Sequence, residues 1–235
     1  MTVDDVIQEL QGYASESTKK ILMRHGAPEP IYGVKVGDMK KIVKKIKKDH
    51  ELSLELYKTG NSDAMYLAGL IADEKQITKA QLTDWATTAT YSMISEYAVA
   101  WVASETPHGW NIGMEWIDSD NEKIASAGWS TLSNYISITP DKDIDIPAVK
   151  ALINRVIKDL QGSQNRVKYT MNRFIICAGT YVHGLTQEAM KASEQYGKVE
   201  VDMNGTACKV PVVGSYLQKM VDGSRIGIKR KQARC

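Results

Sequence analysis

Apolar residues recur at the three- and four-residue spacing of a helix face in nearly every segment of this 235-residue chain, and short polar links join the segments. A pattern of that period does not suit a sheet, whose faces alternate every second residue, so the chain reads as all-α. "TVDDVIQELQGYA" opens on a cap at Thr2, and "SESTKKILMRHG" starts from Ser15 and stops at Gly26. The prolines and glycines of "APEPIYGVKVG" then forbid a regular helix. The pattern resumes through "ELSLELYKTG", through "NSDAMYLAGLIADE" capped by Asn61 or Ser62, and through "TKAQLTDWATTA" and "YSMISEYAVAWVASE". It continues in "GWNIGMEWIDSD", "NEKIASAGWSTLSNYIS", "IPAVKALINRVIKDLQG", "QNRVKYTMNRFIICAGTYV" and "LTQEAMKASEQYG", and ends in "VGSYLQKMV". One stretch breaks the rule. In "KVEVDMNGTACKVP" the alternation around Val199 and Val201, followed by Asn204-Gly205, predicts a small β-hairpin over about 199–210. The basic tail "SRIGIKRKQARC", 224–235, is expected to fray.

About a dozen helices on short links form either a bundle or a stack of helix pairs. Successive pairs recur roughly every 35–45 residues, near the period of HEAT and armadillo repeats, in which each pair buries its face on the next. The clearest unit is "EWIDSDNEKIASAGWSTLSNY", where Ala125, Ala127 and Gly128 permit close packing. The expected fold is therefore a curved, HEAT-like α-superhelix running as one domain over 1–235, with the hairpin near its C-terminus. Trp101, Trp116 and Trp129 belong in or beside the core between successive pairs, because their neighbours at helical spacing are Ala, Ile, Leu and Val.

Charge is unevenly spread. The formal net charge is +2, yet residues 32–50 carry seven Lys or Arg against two carboxylates, and 150–235 carry fifteen against six, around an acidic middle with five against fifteen. In "VGDMKKIVKKIKKDHEL" the apolar Met39, Ile42, Val43 and Ile46 keep helical spacing, while Lys40, Lys41, Lys44, Lys45, Lys47 and Lys48 fill the rest. A solvated helix face usually mixes signs, so an unmixed stripe suggests a surface for phosphates, provided the fold brings it near the basic C-terminal segments. On "QNRVKYTMNRF", Arg166, Tyr169 and Arg173 share one face, flanked by Lys168 and Asn172, which is equipment for holding phosphate and sugar. No secretory h-region, apolar run of membrane-spanning length or lipidation signal is present, so a cytoplasmic location is expected. Three widely spaced cysteines, Cys177, Cys208 and Cys235, make no disulfide framework. Cys177, His183 and Cys208 lack the close spacing that zinc sites favour, and Cys177 reads as a small core residue.

"IYGVKVGDMKKIVKKIKKDHELSLELYKTGNSDAMYLAGLIADE" resembles the N-terminal half of the bacterial DNA alkylation repair proteins, HEAT-like α-helical DNA glycosylases that remove alkylated purines. "EWIDSDNEKIASAGWSTLSNY" is similar to their central helix pair, and the likeness spans roughly residues 30–190. It implies base-excision chemistry on duplex DNA and hydrolysis of the N-glycosidic bond of an alkylated purine; no metal or organic cofactor is expected, and a monomer is the expected state. The family's catalytic helix, with tryptophans followed by aspartates, aligns with "TYSMISEYA". Tyr91 and Ser92 then stand where tryptophans are expected, Met93 replaces the first acid and Glu96 takes the place of the key aspartate. The family's arginine falls at Asn134 and its later tryptophan at Phe174. The resemblance thus makes Glu96 the catalytic candidate, with Tyr91, Ser92, Asn134 and Phe174 as substrate contacts. Lys40, Lys41, Lys44, Lys48, Arg166, Lys168, Tyr169 and Arg173 are the DNA-binding candidates.

The residue types fit the chemistry. Departure of a cationic base leaves positive character on the sugar, which a carboxylate stabilises, and aromatic faces hold the charged base. The substitutions at Ser92, Met93 and Asn134 suit a second reading, a non-catalytic member that recognises DNA shape or damage. A protein-interaction scaffold is the third.

Overall fold

The computed structural model describes residues 1–234, and Cys235 lies outside the described residues. Local chemistry sets the helix starts that the sequence predicts. Thr2 forms a reciprocal capping box with Asp5, Ser15 accepts from the Thr18 amide, and Asn61 accepts from the amides of Asp63 and Ala64. Helices α1 (Val3–Gly12), α2 (Glu16–Arg24) and α3 (Val36–Ile46) make an N-terminal group. The 27–34 loop between α2 and α3 is held by the buried Asp63, whose carboxylate accepts from the amides of Tyr32, Gly33 and Val34 at 2.6, 3.0 and 2.9 Å.

Helix pairs follow. Helix α4 (His50–Lys58) packs on α5 (Ser62–Ile71). Helix α6 (Lys79–Thr88) packs on a π-helical segment (Ile94–Val99) that runs directly into α7 (Ala100–Glu105). Then come α8 (Gly109–Trp116) with α9 (Glu122–Ile138), α10 (Ile146–Asp159) with α11 (Asn165–Tyr181), and α12 (Thr186–Tyr196) with α13 (Val213–Asp222). The second members also pack on one another in turn: α5 on the π segment, the π segment and α7 on α9, α9 on α11, and α11 on α13. They form an inner row, which is the stacked-pair architecture expected from the rhythm of the sequence.

Small residues set the spacing. A Cβ added at Gly128 would lie 2.7 Å from the Ile117 backbone nitrogen and 2.9 Å from Trp116 Cβ, so α8 and α9 approach as closely as backbones can. Trp101, Trp116 and Trp129 are buried in the core, as their neighbours predicted. No helix among the described residues is long and apolar enough to cross a membrane.

Two expectations are corrected. No strand forms among the described residues, so the β-hairpin at 199–210 is absent. Its turn exists: Asn204 and Gly205 have φ of 54° and 67°, and the Thr206 amide donates to Met203 O at 3.1 Å. Within 199–210 an amide side chain takes the backbone groups of Asp202, and others hold the residues that flank the segment. Asn165 exchanges two hydrogen bonds with Asp202, Gln161 donates to the carbonyls of Tyr196 and Lys198, and Asn172 donates to Pro211 O.

The tail, expected to fray, is instead a strap along the C-terminal ends of the inner row. The Gly227 amide donates to Thr180 O in α11, and Lys229 Nζ donates to Ile136 O in α9. The Arg230 amide donates to Ser137 O, and the Ala233 amide to Glu105 at the end of α7. Arg234 reaches the carbonyls of Leu70 and Ala72 at the end of α5. These are the unsatisfied, partially negative helix ends that cations stabilise.

Candidate nucleic-acid interface

The π segment places Glu96 inward. A π turn widens the helix by a residue, is rare, and marks functional sites more often than chance. Glu96 is 0% exposed. Arg166, in the first turn of α11, grips both its oxygens as a fork, Nε to Oε1 at 2.7 Å and Nη2 to Oε2 at 2.6 Å. Burial pushes the Glu96 carboxyl up from its ordinary value, opposed by the two hydrogen bonds and the charge of Arg166. The same carboxylate holds the guanidinium above its own ordinary value despite burial.

Around this pair the inner row contributes aromatic rings. The Arg166 guanidinium lies over the Tyr169 ring at 4.4 Å, and that of Arg173 over Tyr97 at 5.3 Å. Tyr66 of α5 and Tyr97 of the π segment both meet Trp101 edge-on, at 5.5 and 5.7 Å between centroids. These rings and Arg166 line a cleft of about 500 Å³, closed on one side by Met203, Asn204 and Lys209 of the 198–211 loop. Tyr97 and Tyr169 are half-buried in its wall, whereas Tyr66 and Trp101 are almost wholly buried.

The other candidates are placed as follows. Ser92 lies at the rim of this cleft. Tyr91 is in the core, its hydroxyl against Met93 Sδ at 3.7 Å. Asn134 is buried beside Arg173, accepting from Nη2 at 3.1 Å, and its own Nδ2 has no partner. Phe174 is fully buried, edge-on to Trp129 at 5.3 Å. Lys168 is half-buried on α11. Tyr97 and Trp101 were not read from the sequence as one site, although they stand four residues apart immediately after Glu96, a spacing that puts two rings on one helical face.

The lysines of α3 divide. Lys41 pairs with Asp38, Lys45 with Glu9 and Lys48 with Glu74, whereas Lys40, Lys44 and Lys47 have no ion-pair partner among the described residues. Lys40, Lys47 and Lys48 line a second cleft, about 690 Å³, with Lys231 and Arg234 of the strap. The stripe thus adjoins the basic tail but shares no cleft with Arg166 or Arg173. If this second cleft takes phosphates, replacing Lys40 and Lys47 with Glu lowers the slope of log K against log salt by about 0.9 per lost contact. The same change at Lys41 and Lys45 leaves it unaltered. An unchanged slope in the first variant would assign the stripe to solvent.

A family model described as DNA alkylation repair enzyme matches residues 6–203. An uncharacterized protein of Listeria monocytogenes is 36% identical over 225 residues, covering 93% of this chain and 97% of that relative. A second, from Listeria innocua, is 35% identical over 225 residues with the same coverage. The solved structure of "a new family of proteins related to the HEAT-like repeat DNA glycosylases with affinity for branched DNA structures" matches with a TM-score of 0.93 and 36% identity, over 100% of both chains.

Proposed function

This chain belongs to the DNA alkylation repair enzyme family, and on that premise we propose that it binds DNA through the Tyr97–Tyr169–Arg166 cleft and recognises DNA structure rather than excising a base. The observation that carries this reading is the state of Glu96. A carboxylate that stabilises a developing sugar cation must reach the sugar with a free oxygen. Glu96 is wholly buried, and both of its oxygens are committed to Arg166. Its charge is spent on a structural pair that carries Arg166 to the Tyr169 ring.

The binding parts remain. Half-buried tyrosine faces stack on bases freed from a duplex, and the cations of α11 with those of α3 hold the backbone. A branch point supplies unstacked bases, which accords with the affinity for branched DNA described for the structural relative. Hydrolysis of alkylated purines is the second reading, favoured by the family's description as a repair enzyme.

One assay separates them. Purified protein is incubated with methylated duplex, and free 3-methyladenine and 7-methylguanine are quantified. We expect no release above the spontaneous background. Release that Glu96→Gln abolishes would overturn the reading and make Glu96 catalytic.

A further inference from the structure

A second, smaller cavity lies beside the aromatic cleft, walled by the π segment, α9, α11, α13 and the C-terminal strap, with a volume of about 270 Å³. Arg173 enters it from α11 and Arg230 from the strap, with Tyr97, Ser137, Tyr181 and Tyr216 around them and no carboxylate in the lining. Neither arginine has an ion-pair partner among the described residues. Arg173 spends one donor on Asn134, and Arg230 spends one on Ala233 O at 2.8 Å. The carboxylate that acts on Arg173 from farther off is Glu96, whose two oxygens Arg166 already occupies. Burial raises the Tyr181 phenol, while the charges of both Arg230 and Arg173 pull it down, so both guanidiniums act on one point of the wall.

Two partly buried guanidiniums that line one cavity with no carboxylate in its wall have lost much of their water, an arrangement that an anion relieves. We propose that this cavity is a phosphate-group seat, with Arg173 and Arg230 as its cations and the surrounding hydroxyls as neutral donors. The planar donor fork of arginine matches phosphate oxygens two at a time. At about 270 Å³ the cavity exceeds the roughly 30 Å³ of one water severalfold, leaving room for more than the phosphate itself. The inference rests on the DNA-binding reading for its source of phosphate and adds to it a site completed by the strap. Without the tail the cavity has only one cation. Tyr97 and Tyr169 line both this cavity and the aromatic cleft, so a strand whose base stacks in one can place its phosphate in the other.

The test uses the full chain, Arg230→Gln and Tyr216→Glu. Tyr216 is 38% exposed, so the second variant sets a carboxylate at the cavity while leaving the strap's hydrogen bonds intact. Thermal unfolding is followed with and without inorganic phosphate at matched ionic strength. Binding of a labelled three-way DNA junction is measured across a salt series, with arms ending in 5′-phosphate or in 5′-hydroxyl. Phosphate should raise the melting temperature of the wild type and of neither variant, because a ligand stabilises the form that binds it. Arg230→Gln should weaken junction binding about tenfold and reduce the salt slope by about 0.9. Dependence on the 5′-phosphate would identify a strand end as the occupant, and equal binding of both arms a backbone phosphate; either supports the seat. Equal phosphate stabilisation of all three proteins, with unchanged junction binding, overturns the seat and leaves DNA binding standing. Phosphate stabilisation that needs Arg230, with no junction binding by the wild type, supports the seat and removes the DNA-binding reading.

Discussion

Replacing Arg234 with alanine should lower folding stability by about 3–5 kcal/mol, the usual cost of removing one partner from a buried ion pair and stranding the other. The residue is 8% exposed. Its guanidinium lies 2.9 Å from Glu74 Oε2 and 2.8 Å from Glu105 Oε2, and it donates to Ala72 O at 2.6 Å. Truncation therefore leaves Glu105 without a cation and Glu74 with Lys48 alone, frees a helix-end carbonyl, and releases the strap from the N-terminal half of the stack. Arg234→Lys keeps a charge but not the fork, and should lose an intermediate amount. The effect has a pH signature. Burial raises the Glu74 carboxyl, but the hydrogen bond from Lys48 and the charge of Arg234 more than offset this, leaving it below its ordinary value. A depressed carboxylate contributes stability that is present above its unfolded pKa and lost as pH falls through the lower, folded one. Denaturant unfolding of the variant should thus show a shallower acid dependence than the wild type. Wild-type stability in Arg234→Ala would make the strap a passive tail.

Trp129→Ala should also cost about 3–5 kcal/mol, through lost burial and the cavity left behind. The indole is 0% exposed, edge-on to Phe174, and covered by the Arg155 guanidinium at 5.9 Å. Its Nε1–H is buried without an acceptor, an existing penalty that the substitution removes, so the loss should fall toward the lower end of that range. Thermal unfolding checks it. An unchanged midpoint would place the ring outside the core.

The stacked helix pairs were legible because each buries a stripe that sequence periodicity records, and the caps at Thr2, Ser15 and Asn61 are local chemistry. What the sequence hid depends on partners far away along the chain. The Asn204-Gly205 turn forms as its residues demand, yet the segment is tied at Asp202 by Asn165 and at its flanks by Gln161 and Asn172, some 35 to 39 residues upstream. The tail looked like a solvated basic run, but Arg234 meets carbonyls more than 160 residues earlier in sequence. The burial of Glu96, the catalytic candidate by resemblance, was not legible either, since Arg166, which takes both its oxygens, is 70 residues on. The π segment also defeats angular reckoning at 100° per residue, so the face that Ser92 and Glu96 share on an ideal helix is not a guide to which of them meets the cleft.

The central claim, that the cleft formed by the π segment and α11 holds DNA, is tested most directly by fluorescence anisotropy with a labelled three-way junction and a linear duplex of the same composition, comparing wild type with Tyr169→Ala. The account predicts that the wild type prefers the junction, that its affinity falls steeply with salt, and that the variant loses roughly 1–3 kcal/mol of junction binding, the value of one base–aromatic stack, while duplex binding changes less. A wild type that binds neither DNA, or a correctly folded Tyr169→Ala protein that binds the junction as tightly as the wild type, would contradict it.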